Sequence, residues 1–165
     1  MGTYGYISII AMLCYGFMLL MFLTAKRNKI INSFLVVLTG LLFWTGGSAF
    51  MRAQLWPGCE FWYQVSLLGI LLLPYAYYRF ILAFGGVRNG SVGRIYLVIM
   101  LICFWVNAQF GVFLESPKMI EKRGVQTFVY EINPSIIVFF IPAGLFLIHL
   151  FVILVRICKE NPTMK

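Results

Sequence analysis

The chain has 165 residues, 62% of them hydrophobic and only 11% charged, with a formal net charge of +8 and a mean hydropathy of +0.92. A soluble domain carries about 45–50% apolar and about 25% charged residues, and a chain this short has too much exterior to hide such an excess, so a water-soluble fold is excluded. The positive charge does not point to nucleic acid, because the basic residues stand in short connections between apolar runs, where membrane topology accounts for them.

A helix crossing a hydrocarbon core of about 30 Å needs about 20 mainly apolar residues. The first such stretch runs from Tyr4 to Thr24; no basic residue precedes it and no small-residue cleavage pattern follows, so it reads as a retained span and not as a signal peptide. Further spans are predicted at Ser33–Arg52, Phe61–Phe84, Ile95–Leu114 and Ser135–Val155, within a single transmembrane domain over residues 1–165. The expected fold class is an all-α polytopic membrane helix bundle of about five transmembrane helices. Trp56, Trp62, Tyr63, Tyr96 and Tyr130 fall near the predicted ends, where amphipathic rings favour the headgroup layer.

The basic residues set the orientation. Lys26, Arg27 and Lys29 follow the first span, Arg88 and Arg94 the third, with Arg79 able to snorkel toward them, and Arg156, Lys159 and Lys165 close the chain: nine on one side. The other side holds four, Arg52, Lys118, Lys122 and Arg123. The positive-inside bias then puts the N-terminus outside and the C-terminus in the cytoplasm. The one long connection, residues 115–134, faces outward. Its stretch Val125-Gln126-Thr127-Phe128-Val129-Tyr130 is β-prone, so the loop is either a small cap on the bundle or a mobile surface segment.

Catalytic signatures are sparse. The sequence contains no Asp, His149 is its one histidine, and Cys14, Cys59, Cys103 and Cys158 show no CxxC spacing, so neither a cofactor nor a metal site is expected. Gly46-Gly47-Ser48-Ala49 has the Gly-x-Ser look of an intramembrane serine protease, but Ser48 belongs to the outer half of its span and His149 to the inner half of another. Their depths differ on the order of 10 Å, too far for nucleophile and base. The small-residue stripe Thr45, Ala49, Ala53 reads better as a helix-packing face.

Polar side chains within the spans gather at one depth: Thr45 and Ser48 on the second, Gln64 and Ser66 on the third, Asn107 and Gln109 on the fourth. Polar groups in lipid are costly unless they pair or line a wet cavity. The six are therefore either an interhelical hydrogen-bond layer or the lining of a ligand-binding pocket opening outward. Pro74 and Pro142 each remove a backbone donor within a span and favour a kink.

Three stretches, Phe43-Trp44-Thr45-Gly46-Gly47-Ser48-Ala49-Phe50-Met51-Arg52, Phe61-Trp62-Tyr63 through Leu73-Pro74-Tyr75 to Phe84-Gly85-Gly86, and Trp105-Val106-Asn107, occur in an order that resembles the N-terminal seven-transmembrane sensor region of bacterial histidine kinases and diguanylate cyclases. The resemblance covers the first five spans of such a region. It implies a membrane-embedded sensory or anchoring domain of a signal-transduction protein, non-catalytic by itself, since this chain has no phospho-accepting His and no ATP-binding motif. Two further spans and an output domain are missing from the pattern, so the chain is either a fragment of a longer reading frame or a reduced stand-alone relative. The partners this reading admits are the lipid bilayer, a second copy in a homodimer, a cytoplasmic output domain and a small extracellular ligand, but no nucleic acid. A small transporter or an accessory subunit of a membrane complex is the competing reading.

Overall fold

A computed structural model describes residues 3–87, 90–115, 117–122, 125–129, 131 and 133–160. Arg88, Arg123, Tyr130 and Lys165, to which the sequence assigns places in loops, near a span end or in the tail, lie outside these residues, as do the side chains of Glu121 and Lys122. Five helices, α1 (Thr3–Leu23), α2 (Lys29–Arg52), α3 (Cys59–Phe84), α4 (Ser91–Phe110) and α5 (Ile137–Glu160), account for nearly all the regular structure. All five are long and apolar enough to cross a membrane. The molecule is an all-α polytopic bundle and a multi-pass membrane protein. Helices suit lipid because each satisfies its own backbone hydrogen bonds where no water can.

The helix ends differ from the predicted spans for local reasons. α2 begins at Lys29, four residues before Ser33, because Asn28 caps it: its Oδ1 accepts the Ile31 N–H at 2.7 Å. α4 stops at Phe110, short of Leu114, because Gly111 takes the left-handed conformation (φ 60°) that closes a helix. α4 starts earlier than predicted, at Ser91, and α5 runs on past Val155 to Glu160; hydropathy reports the lipid-crossing part, whereas backbone bonding continues into the polar margin. Both α3 and α5 continue across their internal prolines, Pro74 and Pro142. Between α4 and α5 the β-prone stretch forms a hairpin: β1 (Lys118–Lys122) pairs antiparallel with β2 (Val125–Val129), with Ile120 opposite Thr127. A single 3-10 turn, Pro134–Ile136, leads into α5.

The short connections oblige α1, α2, α3 and α4 to run antiparallel in turn. One end of the bundle therefore collects Lys26, Arg27, Lys29, Arg79, Arg94, Arg156 and Lys159, and the other carries Arg52 and the hairpin. These are called here the basic end and the hairpin end.

Lipid tails are as apolar as Leu, so helix association in a membrane depends on close fit and not on exclusion of water. The closest fit is between α2 and α3. A Cβ added to Gly47 would stand 2.6 Å from the Ser66 nitrogen and 2.7 Å from the Trp62 oxygen; one added to Gly69 would stand 2.5 Å from the Trp44 nitrogen and 2.9 Å from the Gly40 oxygen. Backbone thus lies on backbone. The face is that of Gly40 and Gly47, seven residues apart on α2. Thr45 and Ala49 stand two residues to either side of Gly47, about 160° round the helix, so the Thr45–Ala49–Ala53 stripe is not the surface that meets α3. α1 packs on the other side of α2, where Gly46 faces Met12 and Gly16 faces Leu42.

On the far side of α3 the contacts are made by rings. Tyr78, Leu82, Tyr96, Met100, Phe113, Phe139 and Phe146 form one buried cluster joining α3, α4 and α5. Tyr96 stacks on Phe146 at 3.9 Å with 8° between planes, Phe113 meets Phe139 edge-on at 4.6 Å, and the Tyr78 ring lies against Gly93. α1 and α5 turn most of their surface outward: of their apolar windows, 0% and 11% are buried.

The glycine contact can be tested by adding a methyl group. Gly47→Ala and Gly69→Ala should each lower stability by about 1–3 kcal/mol, the usual cost of overpacking. Gly144→Ala, with nothing within 4 Å of the new Cβ, should be neutral or slightly stabilising. Thermal unfolding of the detergent-purified variants reads the difference.

Candidate functional site

The hairpin end contains the polar side chains that the sequence singles out, and the structure distributes them over three settings. Thr45, on α2, donates its hydroxyl to the Leu41 carbonyl of its own helix at 2.8 Å, the usual retreat of a threonine in an apolar helix. Ser48 faces α1, its Oγ 3.4 Å from that of Ser8. Ser66, on α3, donates across to the Trp44 carbonyl on α2 at 3.0 Å, just where the glycines bring the two backbones together. Gln64 is half-buried, and its Oε1 is buried without a hydrogen-bond partner.

Asn107 is different in kind. It is 2% exposed and its amide is fully used: Oδ1 accepts the N–H groups of Phe113 (3.0 Å) and Leu114 (2.9 Å), and Nδ2 donates to the Leu114 carbonyl at 3.1 Å. A helix leaves its last carbonyls unpaired and the chain beyond it needs new partners; Asn107 supplies them as the chain turns at Gly111. Tyr63 of α3 donates to the same Leu114 carbonyl at 3.2 Å, so the turn is bound to α3 as well. Gln109, two residues on from Asn107, is exposed. Thr45, Ser48, Gln64 and Ser66 thus lie on the α1–α2–α3 side, whereas Asn107 is enclosed by the turn after α4 and Gln109 points away from the bundle.

The cap adds contacts between residues far apart in the sequence. The Arg52 guanidinium, at the end of α2, lies 5.9 Å from the centroid of the Phe128 ring on β2, a cation–π distance, and its Nε is buried without a hydrogen-bond partner. Asn133 and Ser135 both donate to the Val112 carbonyl, at 3.3 and 2.5 Å, so the start of α5 is tied to the turn that Asn107 holds. Lys118, at the base of the hairpin, contacts Glu131 at 2.9 Å and Glu115 at 3.6 Å. The Glu131 hydrogen bond and charge raise the Lys118 ammonium above its ordinary value, and Lys118 in turn holds the Glu131 carboxyl below the usual carboxylate range. Of these residues the sequence marks Arg52 as the end of the small-residue run, Phe128 as part of the β-prone stretch and Tyr63 as an interfacial ring, without bringing them together.

Elsewhere, His149 is half-buried on α5 with its ring 6.3 Å from Tyr78 and 6.5 Å from Phe146. The four cysteines are free thiols, and no group of His, Cys, Asp or Glu able to hold a metal ion occurs among the described residues.

Two outcomes follow from this geometry. Asn107→Leu strands the Phe113 and Leu114 N–H groups, each worth about 1–3 kcal/mol when buried without a partner, while the Leu114 carbonyl keeps the Tyr63 hydroxyl. The substitution should lower the unfolding temperature in detergent and open residues 111–134 to protease, whereas Gln109→Leu should do neither. For the ion pair the signs are opposite at the two extremes of pH. The depressed Glu131 contributes stability that is complete above its ordinary value of 4.5 and lost as pH falls through the lowered one. The raised Lys118 contributes below 10.5 and loses its effect as pH rises through the raised value. Amide protection of the hairpin, measured against intrinsic exchange at each pH, should fall modestly below pH 4.5, and Glu131→Gln should remove that dependence.

Compared with known families, residues 7–165 match the model described as the N-terminal 7TM region of histidine kinase. Neither the curated proteins nor the solved structures contain a significant match to this chain.

Proposed function

Because the chain belongs to the family of N-terminal 7TM regions of histidine kinases, we propose that it is the membrane-embedded sensory and anchoring domain of a bacterial signal-transduction protein, without catalysis of its own. The observation that carries this reading is the extent of the match, residues 7–165, which takes in most of α1 and all of α2, α3, α4 and α5. The matched region is the membrane part of such kinases. On this reading the chain sits in the bacterial cytoplasmic membrane with the hairpin end outside and the basic end in the cytoplasm, in keeping with the positive-inside bias. An output domain would lie on the cytoplasmic side, and a second copy of the chain would pair with the first.

The bundle supports a division of labour. α2 and α3, locked backbone to backbone at Gly47 and Gly69, form the fixed part. α5 is held by rings at Tyr96–Phe146 and Phe113–Phe139, which can slide where interlocked backbones cannot. Its first residues are bonded through Asn133 and Ser135 to the turn after α4, and its last turns reach the basic end at Arg156 and Lys159. A change at the cap would therefore be carried along α5 to the cytoplasmic side. A small extracellular ligand would meet the hairpin end on the α1–α2–α3 side, where Thr45, Ser48, Gln64 and Ser66 are the candidate contacts, Asn107 being enclosed by the turn after α4 and Gln109 pointing away from the bundle. Gln64 leads among them, since its carbonyl oxygen is unpaired, whereas the Thr45 and Ser66 hydroxyls donate to backbone carbonyls and the Asn107 amide is engaged by backbone groups throughout.

In the intact bacterial protein, Gln64→Leu should leave the amount inserted in the membrane unchanged and shift the transcript profile toward that of a deletion strain. A wild-type profile in that variant removes the pocket from the proposal. The sensory reading itself is tested by the gene: a reading frame running on beyond Lys165 into a cytoplasmic output domain supports it, and a stop codon followed by transporter genes favours the transporter or accessory-subunit alternative. In a background with the native thiols replaced, cysteine at Leu55 should react with an impermeant maleimide in whole cells and cysteine at Lys26 should not; the reverse pattern overturns the orientation.

A further inference from the structure

At the basic end, Lys29, Asn32, Ser33, Arg79, Leu82, Ala83, Gly86 and Val87 line an open-mouthed cavity of about 610 Å³. We propose that this cavity binds a phosphate anion, and that the phosphate is the headgroup of an anionic phospholipid. The proposal rests on the cavity alone and stands or falls separately from the sensory reading.

The lining divides into two chemistries. Lys29 and Arg79 bring two cations to one mouth from different helices, and both side chains are exposed. Neither has an ion-pair partner among the described residues, whereas Lys118, at the opposite end, has two. Four of the five acidic residues are remote: Glu60, Glu115 and Glu131 lie toward the hairpin end, as does Glu121 by its place in β1, whereas Glu160 ends α5 at the basic end. Asn32 turns its Oδ1 to Arg27, at 3.4 Å, which leaves its amide donor unspent. Ser33 is buried and donates to the Lys29 carbonyl at 2.8 Å, so it forms floor and not ligand. Leu82, Ala83 and Val87 make the rest of the wall apolar.

The helix termini do not decide the matter. The positive end of α2 is offset by the adjacent negative end of α3, since the two run antiparallel. The attraction comes from the two side chains. Arg presents a planar fork that matches phosphate oxygens, and Lys a mobile point charge. A volume of about 610 Å³ falls in the range of ligand sites, about 300–1,000 Å³, and exceeds what a bare phosphate needs. A cationic mouth over an apolar wall at the level where helices leave the lipid fits an amphiphile, with its phosphate on Arg79 and Lys29 and its glycerol and first methylenes along Leu82 and Val87.

The test uses the purified full chain in mixed micelles, with thermal unfolding and native mass spectrometry as readouts. Phosphatidylglycerol should raise the unfolding temperature saturably and remain bound through detergent removal, and phosphatidylcholine should do neither. The effect should weaken with added NaCl, because exposed charges are screened. Lys29→Gln with Arg79→Gln should raise the half-saturating lipid concentration about thirtyfold, at about fivefold for each cation. Lys118→Gln, at the other end, should leave it unchanged. If the double variant fails to fold, Lys29→Arg with Arg79→Lys keeps both charges and must retain lipid binding. Inorganic phosphate giving the same shift, while phosphatidylglycerol gives none beyond phosphatidylcholine, would overturn the lipid source. Equal retention of the two lipids by the wild-type chain, or retention of phosphatidylglycerol unaltered in the double variant, would overturn the site.

Discussion

The approach of α2 to α3 at Gly40, Gly47 and Gly69 is the contact on which the rest of the bundle depends. In water, two apolar helices associate because their surfaces leave solvent; in lipid that drive is absent, and what remains is the sum of short-range attractions, each steeply dependent on distance. Only glycine removes the side chain that would hold the axes apart. At Gly69 the vacant Cβ position is 2.5 Å from the nitrogen of Trp44, so no other residue fits without separating the helices. Ser66 adds a hydrogen bond to the Trp44 carbonyl across the same seam. α1 is laid on one side of this pair and α4 and α5 on the other.

The two sides of the pair differ in how firmly they hold. Backbone contact leaves a single fit, since any slip meets another side chain. The aromatic cluster of Tyr78, Tyr96, Phe113, Phe139 and Phe146 keeps α5 in place through broad faces, and stacked or edge-on rings have several arrangements of similar energy. The polar bonds at the hairpin end, Asn107 and Tyr63 to Leu114, Asn133 and Ser135 to Val112, connect the segment leading into α5 to the turn after α4 and to α3.

Charge is arranged with the same economy. The acidic residues lie mostly at the hairpin end and pair there, as Lys118 does with Glu131 and Glu115. The basic end is left with cations in excess, and such an excess draws anions to the surface where it stands. Topogenesis accounts for that excess in general; the convergence of Lys29 and Arg79 on one cavity is a matter of helix packing.

The sequence by itself determined the number of helices, their order, the β-prone cap and the charge difference between the two ends, because each is a property of a run of residues read along one dimension. The order of small-residue, proline and asparagine words also revealed the family. It could not say which face of a helix meets which neighbour. α1 and α2 are apolar nearly all round, so their patterns carry no period from which a rotation can be read, and the Thr45–Ala49–Ala53 stripe was as good a candidate seam as Gly40–Gly47. Asn107 looked like a residue available to a ligand until the turn at Gly111 folded Phe113 and Leu114 back onto it. Arg52 over Phe128 and the cavity of Lys29 and Arg79 join residues 76 and 50 positions apart in the chain. Those juxtapositions follow from the relative rotation and depth of packed helices, and only the tertiary structure decides these.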